Sequence, residues 1–156
     1  KVLAPGLRVG YLVASKEFIN HCANEVMLID RQGNSITELA VAELMDSGEI
    51  KRHIRRTLKV YSERRNVLIQ LLQDELCQFV NFDSPNGGLA IWLRLNEGID
   101  VHKLVQKALL EKVRILPAPM FSESPININA IRLGFGSLNA TELTTGIQRL
   151  KRALNA

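Results

Sequence analysis

At 156 residues the chain can form one substantial domain, or one small domain plus a remnant of another. Hydrophobic residues make up 46% and charged residues 23%, which supports a packed core and excludes a disordered chain. The formal net charge is +4, which raises nucleic acid as a partner, while apolar runs such as Val26 to Ile29 are too short to cross a bilayer.

In chain order, Pro5-Gly6 marks a turn and Leu7 to Val13 (LRVGYLV) then reads as a buried strand. Ser15 is placed to cap a helix running to about Leu28, which Arg31 to Asn34 interrupt. Ser35-Ile-Thr-Glu38 is a capping-box pattern, and the helix it opens carries Ile36, Leu39, Ala40 and Leu44 before stopping near Ser47-Gly48. A long helix follows from about Glu49 to Leu76. After Ser84-Pro-Asn-Gly-Gly88, Leu89 to Leu95 (LAIWLRL) is strand-like, and Asp100 caps a helix reaching about Lys112. Val113 to Leu116 is a short strand ended by Pro117-Ala-Pro119, Ser122 to Asn129 a loop, and Ile131 to Phe135 another short strand. Asn139-Ala-Thr-Glu142 opens a last helix with Leu143, Ile147, Leu150 and Leu154 on one face. From Leu89 onward this order predicts an α/β fold, a small sheet covered by helices in a two-layer sandwich. The Leu7 strand lies a long helical stretch away and reads as the last strand of a larger sheet.

Charge distribution weakens the nucleic-acid reading. Lys51, Arg52, Arg55, Arg56, Lys59, Arg64 and Arg65 fall in one helix, whose stripe is Ile50, Ile54, Leu58, Tyr61, Arg65 and Leu68. The bases mostly fill the remaining faces beside Glu49 and Glu63, as a solvated helix does, and no aromatic platform interleaves them. Cys22 and Cys77 are isolated thiols, read as half-buried in a reducing cytoplasm, and no cationic-then-apolar leader opens the chain. His21, His53 and His102 lack partners at ligand spacing, so no metal is expected, and Trp92 is expected in the core. Asp46, Glu49 and Glu111 sit at predicted helix ends, where solvation or capping accounts for them.

The opening K-V-L-A-P-G-L-R-V-G-Y holds Lys1, Pro5, Gly6, Arg8 and Gly10. Taken alone, a lysine and an arginine flanking a turn are two surface charges. The segment resembles that of class I aminotransferases of fold type I, in which the cofactor-binding lysine is followed by a Pro-Gly turn and a phosphate-binding arginine. The spacing is similar to the aminoadipate/kynurenine aminotransferase branch, and equally to the aminotransferase-like domain of MocR-type regulators of the GntR family. The resemblance covers essentially the whole chain. It includes Gly87-Gly88 before the strand, Arg132 in I-R-L-G-F-G-S-L, and the Ile54-Arg-Arg…Tyr61-Ser-Glu-Arg-Arg65 helix, which is especially like the MocR type.

The resemblance implies pyridoxal phosphate as cofactor, Lys1 as the catalytic lysine bonded to it, Arg8 on its phosphate and Arg132 on the α-carboxylate of an amino-acid or 2-oxo-acid ligand. Elementary chemistry suits these roles. A lysine reacts with an aldehyde only as the neutral amine, which desolvation or a nearby cation makes accessible. An arginine fork matches two oxygens of a phosphate or carboxylate. Glycines such as Gly6 and Gly10 let backbone pass close to a bound group. By the same resemblance, residues 1–48 are a remnant of the large cofactor-binding domain and residues 49–156 are the C-terminal small domain.

In the family, the aspartate on the pyridine nitrogen, the aromatic stacked on the ring and most phosphate ligands precede the lysine. The chain is therefore expected not to transaminate alone, and activity is expected of a parent protein. That parent reads first as a MocR-type regulator, with DNA bound only through an N-terminal module and this part sensing an amino acid. A second reading is a free-standing aminotransferase, and a third an interaction or dimerisation module only. A cytoplasmic homodimer with no membrane partner is expected in each case.

Overall fold

The computed structural model describes residues 3–31, 33–121 and 128–156. The chain forms two compact units that divide between Leu58 and Lys59, inside a long helix.

In the first unit, a 3-10 turn over Pro5–Leu7 leads to α1 (Lys16–Ile29) and α2 (Ser35–Asp46). Ser15 caps α1, its hydroxyl accepting from the Phe18 N–H at 3.4 Å. The cap of α2 is Asn34 rather than the expected Ser35: the Asn34 side-chain oxygen accepts from the Thr37 N–H at 3.3 Å. Asparagine caps as well as serine, and standing one residue earlier it takes the third helical N–H and leaves Ser35 as the first helical residue. The expected strand at Leu7 to Val13 does not form. Leu7 ends the 3-10 turn, and residues 8–15 belong to no helix or strand. A strand exists only through its ladder, and among the described residues nothing pairs with this segment. Its apolar side chains accordingly stand in the open, Tyr11 at 93% and Val13 at 84% exposure. Neither α1 nor α2 has a buried residue. Cys22 is half-buried as expected, whereas Cys77 is exposed.

α3 (Glu49–Leu76) runs across the division. Its apolar stripe is buried only in the second half, through Leu68, Leu72 and Leu76 at steps of four. The second unit adds α4 (Val101–Leu110), α5 (Ala140–Asn155) and a four-stranded antiparallel sheet. Its strands are β1 (Val80–Asn81), β2 (Ala90–Leu95), β3 (Leu116–Pro117) and β4 (Ala130–Gly134), in the order β1-β2-β4-β3. Alternation along β2 sends Ile91, Leu93 and Leu95 to one face, and register places Ile131 of β4 opposite Leu93 on that same face. These residues join Leu68, Leu72 and Leu76 of α3, Leu104 of α4, and Leu143, Ile147 and Leu150 of α5 in one core. The result is the expected two-layer α/β sandwich. β1 was not expected, being two residues long, and β3 pairs only over Leu116–Pro117 rather than from Val113.

The caps hold as the sequence predicts. Asp100 accepts from the His102 and Lys103 N–H groups at 2.8 and 3.2 Å. Asn139 and Glu142 form a reciprocal capping box at 2.9 and 2.8 Å. Ion pairs tie α5 to its neighbours, Lys151 to Glu75 of α3 at 2.7 Å and Arg152 to Glu111 beyond α4 at 2.8 Å. Glu49, at the start of α3, pairs with Arg52 at 2.6 Å.

Candidate ligand-binding site

The sequence singles out Lys1, Arg8 and Arg132. Lys1 lies outside the described residues. Arg8 closes the Pro5–Leu7 turn, whose proline suits the start of a helical turn because it lacks an N–H there. The backbone of Arg8 is left-handed (φ 54°, ψ 28°), a conformation uncommon for a residue with a Cβ and found often at ligand clamps. Its side chain is exposed and makes no ion pair or hydrogen bond among the described residues.

Arg132 sits in the middle of β4, flanked in register by Trp92 on β2 and Leu116 on β3. Pairing on both sides fixes its backbone. Because Ile131 faces the core, Arg132 projects to the other face of the sheet, where it is exposed. Its guanidinium carbon lies over the Phe121 ring, 5.6 Å from the centroid. Phe121, in the 3-10 turn Ala118–Phe121, in turn meets the Trp92 ring edge-on at 5.9 Å and 70°. Trp92 is therefore not a core residue, as the sequence led us to expect, but half of an aromatic pair beneath a cation on the opposite face. No carboxylate among the described residues neutralises Arg132, so its N–H edges remain available to a bidentate acceptor.

Two further arginines shape the loops at one end of the sheet. Arg64 donates to the Gly136 carbonyl, and Arg65 donates to the Pro85 carbonyl at 3.1 Å. These carbonyls flank the point where Ala90 of β2 pairs with Gly134 of β4. Arg65 stands on the apolar stripe of α3 and is half-buried, with Nε enclosed and unpartnered. The motif helix thus braces the loops before β2 and after β4. Gly88, in the first of these loops, has φ +85°, which favours glycine, and a Cβ on Gly136 would press on Leu89 at 3.4 Å. Arg8 belongs to the first unit and Arg132 to the second.

Sequence reasoning did not find Phe121 or give Trp92 its place. Their meeting depends on the pairing of β2 and β3 with β4 and on the turn after β3, which spacing along the chain does not encode. Among the described residues no three His, Cys, Asp or Glu side chains gather as a metal site would need, and no helix is long and apolar enough to cross a membrane.

The family model for aminotransferases of class I and II matches residues 2–150. A 2-aminoadipate transaminase of Thermus thermophilus is 30% identical over 154 residues, which are 99% of this chain and 38% of that protein. The HTH-type transcriptional regulator YhdI of Bacillus subtilis, itself uncharacterised, is 29% identical over 98% of this chain and 33% of its own length. Among solved structures, LysN, an α-aminoadipate aminotransferase of Thermus thermophilus complexed with N-(5'-phosphopyridoxyl)-L-leucine, superposes with a TM-score of 0.91 at 30% identity, covering 99% of this chain and 40% of that one. The chain thus spans well under half the length of the relatives it matches.

Proposed function

Because the chain belongs to the class I and II aminotransferase family, we propose that it is the C-terminal part of a pyridoxal-phosphate-binding domain that recognises an amino acid or 2-oxo acid. On this reading residues 1–48 belong to the large cofactor-binding domain and residues 49–156 form the small domain. The observation that carries the reading is Arg132: a cation fixed on a paired strand, seated on an aromatic ring and left unneutralised among the described residues.

Each of the two arginines, taken by itself, has chemistry that suits the cofactor or its ligand. Arg8 offers a guanidinium unpaired among the described residues on a left-handed turn, suited to phosphate, and Arg132 offers one suited to a carboxylate. Pyridoxal phosphate, when bound, supplies the electron sink for chemistry at an amino acid's α-carbon. Lys1 would hold it covalently, Arg8 would hold its phosphate and Arg132 would orient the ligand carboxylate. The activity resides in the whole protein, not in this chain alone.

We take the whole protein to be a MocR-type regulator, in which this part senses an amino acid and DNA is bound through an N-terminal module. The motif helix bearing Arg64 and Arg65 and the similarity to helix-turn-helix regulators support this. The 30% identity to a 2-aminoadipate transaminase supports the second reading, a cytoplasmic enzyme that moves an amino group to a 2-oxo acid. A homodimer suits both, since α1 and α2 expose Phe18, Met27, Leu28, Ile36 and Leu39.

The test uses the full-length protein. Lys1→Ala should abolish the absorbance of lysine-bound cofactor. Arg8→Ala should weaken cofactor binding by about 1.5–3 kcal/mol, roughly ten- to a hundredfold. Arg132→Ala should spare cofactor binding and impair the response to amino acid. A protein–cofactor absorbance that survives Lys1→Ala overturns the reading. Release of a 2-oxo acid identifies an enzyme, and an amino-acid-dependent change in DNA affinity identifies a regulator.

A further inference from the structure

We infer that Phe121 is a positioning residue for ligand recognition: its ring, propped edge-on by Trp92, holds the Arg132 guanidinium in place to grip a carboxylate. This inference rests on the proposed role of Arg132 and adds residues which that role does not include.

The argument begins with the freedom of an arginine side chain. The Arg132 backbone is fixed by strands on both sides, but four rotatable bonds separate it from the guanidinium. Hydrogen bonds or ion pairs usually fix such a group, and Arg132 has neither among the described residues. Its recorded contact is the Phe121 ring at 5.6 Å, within the range of about 6 Å over which a cation is drawn to an aromatic face. A cation drawn to a ring spends none of its N–H donors on a hydrogen bond. That differs in kind from a carboxylate partner, which would consume the donors the ligand needs.

The ring needs support of its own. Phe121 ends a short 3-10 turn and is 48% exposed, so its packing is one-sided. The edge-on contact with Trp92 at 5.9 Å and 70° supplies that support, in the geometry aromatic pairs favour. Trp92 stands opposite Arg132 in the β2–β4 register. The three side chains thus form a closed set in which the strand that carries the cation is paired to the strand that props its ring.

The experiment uses the full-length, cofactor-loaded protein and calorimetric titration. The probes are the twenty standard amino acids with L-2-aminoadipate, and the α-amide of the tightest binder. Arg132→Gln tests the underlying reading: it should abolish the preference for acid over amide, and if it does not, or if no probe binds the wild type, that reading fails. Given that preference, Phe121→Leu should weaken the acid by roughly three- to thirtyfold, the span between an exposed and a desolvated cation–π contact. It should leave the amide unchanged, and Phe121→Tyr, which keeps the ring, should restore acid affinity. In an Arg132→Gln background, Phe121→Leu should have no further effect. The inference is overturned if Phe121→Leu leaves acid affinity unchanged, weakens acid and amide equally, or acts equally without Arg132. Because Phe121 is half-exposed, thermal unfolding of the leucine and tyrosine variants should match the wild type, which separates positioning from loss of fold.

Discussion

Leu58 and Leu72 are the same residue type on one helix, and the structure assigns them opposite energetic weight. Leu72 is fully enclosed, while Leu58 is 62% exposed. Truncating Leu72 to alanine removes three buried carbons, worth about 2.4 kcal/mol at roughly 0.8 kcal/mol each. A residual void of about 50 Å³ adds a little over 1 kcal/mol at about 24 cal/mol per Å³, giving a total of roughly 3–4 kcal/mol. At Leu58 more than half of the side chain is already in water, so the same change should cost below about 1 kcal/mol. The assay is urea unfolding of the chain followed through Trp92, its only tryptophan and a residue of the second unit. With an m-value of about 2 kcal/mol per M, Leu72→Ala should lower the midpoint by roughly 1.5–2 M and Leu58→Ala by less than about 0.5 M. Equal shifts for the two variants, with m unchanged, would refute the division of α3 into an exposed first half and a buried second half.

Gly146 lies inside α5 at a half-open pocket of about 110 Å³, and a Cβ there meets nothing within 4 Å. Gly146→Ala should therefore stabilise by about 0.5–1 kcal/mol, read as a higher Tm; a lower Tm would show that the space is not free. Asn139→Ala dissolves the capping box of α5 and should cost about 1 kcal/mol in the same measurement, whereas Asn139→Ser should retain most of it. The backbone N–H groups of Lys103 and His102 hold the Asp100 carboxyl below its usual value of 3.8. Since the folded pKa is the lower one, the stabilisation is complete above the unfolded value and lost as pH falls through the folded value. Asp100→Asn should flatten the acid limb of Tm against pH, and an unaltered limb would count against the cap.

Helices were legible in the sequence because their signals are local. Caps at Ser15, Asp100 and Asn139 and the periodic stripe of α3 lie within a few residues of what they specify. The cap of α2 slipped by one residue because Asn34 and Ser35 are competing candidates side by side. Strands were less legible, since a strand is completed by a partner elsewhere. Leu7 to Val13 has the composition of a buried strand but finds no ladder among the described residues, while Val80–Asn81, with almost no pattern, pairs with Leu95 and Arg94. Arg65 on an apolar stripe was a readable anomaly, and it marks the brace to Pro85. The Trp92–Phe121–Arg132 set arises from the β2–β4–β3 pairing together with the turn that follows β3, so the sequence showed the cation without its seat.

The brevity of β1 and β3 bears on how copies of this protein can meet. Both edges of the sheet are strands of only two residues, and one of them contains Pro117, which has no N–H to donate. An incoming polypeptide would find almost no backbone to bond on these two strands, while β2 is covered by β1 only at Arg94 and Leu95 and β4 by β3 only at Ile131 and Arg132. Among the described residues, edge-to-edge growth, the usual route from a folded sheet to insoluble aggregate, finds little purchase on β1 and β3 themselves. Association through side-chain surfaces differs from such growth in that its strength follows apolar area and charge and can be tuned by single substitutions. Short edge strands and an edge proline are among the features by which sheets resist edge pairing, independent of any ligand on the open face.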